Sequence, residues 1–281
     1  MPELPEVETV CRTLRRALQG KPITRVEVVR DSIVFGSASP KAIERALLGR
    51  TVEAVGRRGK FFWLCLSGEG PTLFGHLGMS GWIREVGVEG VRLQGHGDAP
   101  FDDEHGRPRF LKLGIAVQSG LGVVLTDPRR LGRVWLGPSP EQDSRVKRLG
   151  PDAFEALPNT KLLLALFARR KIPIKAVLLD QSVVSGIGNW IADEVLYQSR
   201  IAPKRAAASL TPVEVAALRR AIVSVLARAV KVGADHKRFP KSWLFEHRWG
   251  GNRGAEQIGG QRIVREEVGG RTTAWVPARQ K

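Results

Sequence analysis

The stretch LGPSPEQDSRVKRLGPDAF, residues 136–154, divides the chain. Its three prolines, its glycines and its charges carry no apolar period, so it reads as a linker between two patterns. Upstream, ITRVEVVR (23–30), TVEAVGRRGKFFWLCL (51–66), TLFGHLGMSGWIREV (72–86), FLKLGIAVQS (110–119) and GVVLTD (122–127) are short strand-like runs between Gly, Pro and Ser breaks. Downstream, TKLLLALFARR (160–170), IPIKAVLLDQ (172–181), NWIADEVLYQSRI (189–201) and TPVEVAALRRAIVSVLARAVKVG (211–233) have helical spacing, and Thr211 with Glu214 spells a capping box. A β-rich half followed by a helical half makes the fold class α+β.

The ends complete this plan. From Val7 the apolar positions Val10, Cys11, Leu14 and Leu18 recur at helical spacing, Pro5 suits the first turn and Gly20 stops the helix. The closing stretch is Gly-rich and basic, with QRIVREEV (261–268) and RTTAWVPA (271–278) joined by Gly269-Gly270 as a candidate hairpin. The charged stretch from Gly87 to Pro108 reads as a mobile loop. The expected domains are a β-rich sandwich or barrel fronted by one helix over 1–136, a linker over 137–150, a helical domain over 151–233 and a hairpin appendix over 234–281.

The 281 residues carry 45 Lys and Arg against 28 Asp and Glu, a net charge of +17 with a sequence pI near 10.8. Such an excess calls for a polyanionic partner, nucleic acid first and an anionic membrane surface second. No apolar run is long enough for a membrane span, and no basic-then-apolar leader opens the chain. Cys11 and Cys65 are the only cysteines and read as core thiols in a reducing compartment.

Four stretches hold residues with chemical potential. In MPELPEVETV (1–10), removal of Met1 would leave the secondary amine of Pro2, a group whose class titrates near neutrality. Such an amine attacks an aldehyde-like carbon to give an iminium, and Glu3 and Glu6 stand beside it as proton carriers. A proline and acids at a helix start suit the helix dipole equally well. Lys60 follows a Gly turn at the start of an apolar strand, the place of an acid/base lysine or of a solvated strand end. TDPRRLG (126–132) puts Arg129, Arg130 and Leu131 in a turn, suited to phosphate contact and a wedge into a base stack, or to a plain surface turn. In SGIGNWIADEVLYQ (185–198), glycines before a helix and the Asn189 amide suit an anion at a helix N-terminus, or an ordinary helix connection.

Together MPELPEVETV, RRGKFFWL, HLGMSG, TDPRRLG, IPIKAVLLDQ, SGIGNWIADEVLYQ and GGRTTAWVP, in this order and spacing, resemble the formamidopyrimidine-DNA glycosylase/endonuclease VIII family of base-excision repair. The resemblance spans essentially the whole chain. It implies a bifunctional DNA glycosylase and abasic-site lyase that flips out a damaged base, with an N-terminal β-sandwich, a helix–two-turn–helix domain and damaged double-stranded DNA in the cleft between them.

It also implies roles. Pro2 would be the nucleophile, Glu3 the acid/base that opens the sugar, Glu6 its support and Lys60 a second catalytic amine. Met79, Arg129 and Leu131 would fill the gap left by the flipped nucleotide. Arg130, Lys171, Lys175 and Asn189 would bind phosphates. Arg271 would grip phosphates by the lesion and assist δ-elimination. Lys112 stands where the bacterial prototypes place a DNA-contacting histidine.

Two features set the chain apart within the family. Its commonest members close with a four-cysteine zinc finger, and here no cysteine follows Cys65. His236 and His247 cannot make a tetrahedral site alone, so no metal and no cofactor is expected, and the wording is closest to the plant-type, zincless-finger branch. The stretch DHKRFPKSWLFEH (235–247) is too short for the loop that caps 8-oxoguanine in those prototypes. The expectation is a monomer, cytoplasmic and nucleoid-associated in a bacterium or nuclear in a eukaryote, that excises formamidopyrimidines and hydantoins well and 8-oxoguanine poorly. A catalytically silent damage binder would be expected to have lost one of Pro2, Glu3, Glu6 or Lys60, and an RNA binder would leave the terminus idle.

Overall fold

Two compact units make up the computed structural model, which describes residues 2–88, 101–117, 120–249 and 256–281. The first holds 1–147 with 233–236; the second holds 148–232 with 237–281. The architecture is mixed α+β, with sheets in the N-terminal part, helices in the C-terminal part and hairpins at the end.

The first unit opens with α1 (Leu4–Leu18), whose Leu4, Val7, Val10, Cys11, Leu14 and Leu18 are buried along one face. Two four-stranded antiparallel sheets follow. One orders β1 (Ile23–Val28), β6 (Leu111–Val117), β7 (Gly120–Thr126) and β5 (Trp82–Glu85); the other orders β2 (Val52–Arg58), β3 (Phe61–Leu66), β4 (Thr72–His76) and β8 (Arg133–Gly137). Alternate side chains such as Phe62, Leu64 and Leu66 from one sheet and Leu113, Ile115 and Val117 from the other join α1 in one apolar core. Burying that face is what holds the helix, and with it the chain start, in one place.

The strand runs read from sequence are present, but three short helices were not foreseen, one of them, Ser144–Lys147, inside the expected linker. The other two are α2 (Ser32–Phe35), capped by the Asp31 carboxylate, and α3 (Pro40–Leu47), capped by the Ser39 hydroxyl. Of the loop expected over Gly87 to Pro108, residues 89–100 lie outside the described residues. The part from Phe101 is a closed turn, because the Asp103 carboxylate accepts the N–H groups of His105 and Arg107, both at 2.9 Å.

The first unit ends in α4 (Ser144–Lys147), and the second holds α5 (Thr160–Ala168), α6 (Ile174–Leu179), α7 (Asn189–Ser199) and α8 (Pro212–Lys231). The capping box of Thr211 and Glu214 opens α8. Between α6 and α7 the Gln181 amide bridges the Ile187 carbonyl and the Gly186 N–H, which folds the connection into two turns and delivers Asn189 as the first residue of α7. The chain ends in two antiparallel pairs, β9 (Gln257–Ile258) with β10 (Gln261–Arg262) and β11 (Val264–Val268) with β12 (Arg271–Trp275). The second pair turns at Gly269-Gly270, both at positive φ. Ile258, Ile263, Ala274 and Val276 bury against Tyr197 of α7 and Leu244. Phe239, Trp243 and Phe245, in the stretch 235–247, are buried in a ring cluster with Trp190. No described helix is long and apolar enough to cross a membrane.

Candidate active site

Each unit contributes a set of polar residues, and each set is built by its own unit. In the first, Pro2, Glu3 and Glu6 are all buried at the start of α1. The Glu3 N–H donates to the Glu6 carboxylate at 3.0 Å, the reciprocal contact of a capping box with Glu3 as cap. Burial, and secondly the negative charge of Glu3, push the Glu6 carboxyl from 4.5 up to about 7. A carboxyl that keeps its proton to near neutrality thus sits one helical turn from a second carboxyl, an arrangement fit for passing protons.

That shift makes stability depend on pH. A carboxyl whose pKa is higher folded than unfolded stabilises fully below about 4.5, and the contribution is lost as pH rises through about 7. Glu194, raised to about 7 chiefly by burial, acts in the same direction. Glu6→Gln keeps an acceptor for the Glu3 N–H but never titrates. Denaturant unfolding at about pH 5 and about pH 8 should therefore show wild-type stability falling relative to Glu6→Gln as pH rises. A pH-independent difference between the two proteins would remove the buried-proton assignment.

Glu8, the next acid on α1, is an anchor instead. It pairs with Arg57 and Arg15 at 3.0 Å and with Arg12 at 3.4 Å, and the Arg57 side chain is fully buried. Arg57 also donates to the Gly59 carbonyl at 3.1 Å. Gly59-Lys60 is the two-residue turn between β2 and β3, so α1 and the Lys60 turn share one fastening. His76 lies in the same electrostatic neighbourhood. Burial first, then the charges of Lys60 and Arg133, lower it to about 4, so it is neutral and accepts the Gly78 N–H at Nδ1, 3.1 Å away.

Met79 and Leu131 come together through backbone. Gly78 has φ +62, and a Cβ there would stand 2.3 Å from the Leu131 carbonyl, so only glycine lets the two turns touch. Buried Asp127 ties them, accepting the Ser80 hydroxyl at 2.5 Å and the Gly132 N–H at 2.7 Å. Met79 and Leu131 remain 42% and 41% exposed on the outside of this joint, with Arg129 also exposed, the set to which the family resemblance gives the gap left by a flipped nucleotide.

Arg130, expected on a phosphate, and Lys112, which stands where the prototypes place a DNA-contacting histidine, share one acid. Both pair with the Asp31 carboxylate, at 2.8 and 3.0 Å. Burial pushes this carboxyl up, but hydrogen bonds from Arg130, Lys112 and the Val34 and Ile33 N–H groups outweigh it and hold it well below the usual range. Arg130 also takes φ +57, an uncommon backbone state for a side chain of its size.

In the second unit Lys171 is exposed ahead of α6. Lys175, expected on a phosphate, is instead sealed from solvent, with Nζ 2.6 Å from Asp193 and 2.7 Å from the Thr273 hydroxyl. The Asn189 amide donates to the Thr272 carbonyl at 2.9 Å, next to exposed Arg271. The structure therefore gathers Lys175, Asn189 and the strand bearing Arg271. Glu8, Asp31, Arg57, Asp127 and Asp193 were missed. Only Asp31 had a local signal, as an Asp-Ser pair suited to starting a helix. Among the described residues no group of three or more His, Cys, Asp or Glu side chains is placed to hold a metal ion, so the residues present do not fit a structural zinc.

Two family models match most of the chain. Residues 1–134 match the formamidopyrimidine-DNA glycosylase N-terminal domain, and residues 149–241 match the H2TH domain of the same enzymes. A formamidopyrimidine-DNA glycosylase of Arabidopsis thaliana is 39% identical over 281 residues, all of this chain and 71% of its own. One from Rhodopseudomonas palustris is 35% identical with both chains fully covered. Among solved structures, the Lactococcus lactis enzyme complexed with DNA containing FAPY-dG superposes with a TM-score of 0.79 at 26% identity, covering 99% of this chain and all of that one. The MutM protein of Thermus thermophilus gives 0.75 at 28% identity, with 99% and 98% covered.

Proposed function

The chain belongs to the formamidopyrimidine-DNA glycosylase family of DNA-repair enzymes, and on that premise we propose that it both excises oxidised bases from double-stranded DNA and cleaves the abasic site it creates. The observation that carries this reading is the buried start of α1, where Pro2 is followed by a capped pair of carboxyls, one of them protonated near neutrality.

The proline nitrogen attacks the anomeric carbon of the damaged nucleoside, and the base departs with the electron pair of the glycosidic bond and the proton that the nitrogen gives up. Glu3 gives a proton to the ring oxygen as the sugar opens, leaving an iminium between Pro2 and the former anomeric carbon. Glu6, bonded to the Glu3 N–H, sets where that acid stands. The iminium draws electrons from the neighbouring carbon, which loses a proton, and the freed electron pair forms a double bond to the next carbon and expels the 3′ phosphate from it. A second proton loss expels the 5′ phosphate, with Arg271 gripping the phosphate charge. Lys60 serves as the second amine of the site. Met79, Arg129 and Leu131 occupy the space of the extruded nucleotide, and Lys171 and Asn189 hold the backbone. For Arg130 and Lys112 to meet phosphates, DNA must share them with Asp31.

Substrate choice follows from the stretch 235–247. Its Phe239, Trp243 and Phe245 are committed to the ring cluster around Trp190, which supports a packing role over that of a polar cover for a flipped base. Planar 8-oxoguanine stacks like guanine, whereas ring-opened and non-planar lesions leave the helix at lower cost. Single-turnover excision in one duplex context should run at least about tenfold faster for a formamidopyrimidine than for 8-oxoguanine opposite cytosine. Equal rates would overturn this preference.

A further inference from the structure

Asp193 is buried in the first turns of α7, yet its carboxylate meets three separate pieces of chain. One oxygen lies 2.6 Å from Lys175 Nζ of α6. The other accepts from Arg248 at 2.7 Å and from the Ala274 N–H of β12 at 3.2 Å. Lys175 passes the connection on, donating to the Thr272 carbonyl at 3.2 Å and to the Thr273 hydroxyl at 2.7 Å. That hydroxyl in turn donates to the carbonyl of Arg271 at 3.1 Å. From the opposite side, Arg265 of β11 donates to the carbonyls of His247 and Trp249. The turn of the hairpin is seated as well. A Cβ on Gly269, at φ +63, would stand 2.9 Å from Ala176 Cβ, the residue after Lys175.

We propose that Asp193 is a positioning residue for Arg271, the centre of an ionic latch that fixes the β11–β12 hairpin on α6 and α7. One oxygen of the carboxylate is held by the Lys175 charge alone and the other by two hydrogen bonds, and both cations it meets have side chains at most 8% exposed. Such a buried set is costly to break one partner at a time and tolerates few alternative geometries. Lys175 belongs to this latch and not to the phosphate contacts. Arg271 stays exposed while its backbone is clamped on both sides, which is how a mobile guanidinium is given a fixed origin.

The inference rests on Arg271 acting in δ-elimination. The test measures the ratio of δ- to β-elimination products on abasic-site DNA. Arg271→Ala should lower it, Asp193→Asn should lower it by about tenfold, and the double variant should match Arg271→Ala alone, because contacting residues in one chain of action are not additive. Should Asp193→Asn not fold, Thr273→Val, which removes only the hydroxyl that links Lys175 to Arg271, must shift the ratio in the same direction, and Thr273→Ser must restore it. Independent, additive losses would overturn the proposal. If Arg271→Ala leaves the ratio intact, the role given to Arg271 fails, and amide hydrogen exchange at Thr273 and Ala274 decides the latch by itself. Faster exchange there in Asp193→Asn or Thr273→Val supports the latch, and unchanged exchange refutes it.

Discussion

Protein that retains Met1 ahead of Pro2 should yield no borohydride-fixed adduct with abasic-site DNA, while protein beginning at Pro2 should be fixed covalently. With Met1 present the proline nitrogen is a tertiary amide without a nucleophilic pair. The nearest amine is then one residue further out, about 3.8 Å away along the chain. Near a buried, capped helix start that distance is decisive, since misplacement by about 1 Å can cost roughly a hundredfold. Loss of both the nucleophile and its position should lower strand cleavage by at least about a thousandfold. Pro2→Gly keeps an amine at the right place but changes its basicity and shape, so it should be slowed without losing the adduct. A full-strength adduct on protein with Met1 intact, mapped to a lysine, would displace Pro2 from the mechanism.

Glu3→Gln should separate the two halves of the reaction. The amide keeps an oxygen to accept the N–H that Glu3 caps, so the helix start should survive. It has no proton to give, and base excision should fall by roughly 10²–10⁴-fold, the usual worth of a placed acid. An abasic site already opens to an aldehyde, so its cleavage should fall much less. Side-by-side single-turnover rates on a formamidopyrimidine duplex and on an abasic duplex test this. Equal losses on both would mean that Glu3 acts by holding structure and not by proton transfer.

What the sequence could reveal divides along the range of the interactions. The face of α1, the Thr211–Glu214 box and the Gly269-Gly270 turn are written within a few residues, and all three are present. Pro2, Glu3 and Glu6 are neighbours in sequence, so their grouping was legible before any fold was known. Partner choice across the chain was not. Nothing around Arg130 announces Asp31, and nothing around Lys175 announces Asp193, because each pairing exists only once strands and helices have been stacked. A lysine in the first turn of a short helix looks solvated until the hairpin closes over it. The helices α2 and α3 were overlooked for a smaller reason, being four and eight residues long, too brief for a helical period to stand out.

The latch around Asp193 bears on how such an enzyme endures the conditions that create its work. Oxidised bases arise where peroxides and related oxidants are abundant, and thiolates are among the first protein groups those agents consume. The hairpin of this chain follows the last cysteine by nearly two hundred residues, and it is fastened by a carboxylate, an ammonium, a guanidinium and hydroxyl and amide groups. None of these is a substrate for peroxide. The groups that fasten the strand carrying Arg271 are therefore inert to peroxide, whereas exposed Met79 in the other unit is open to oxidation to the sulfoxide.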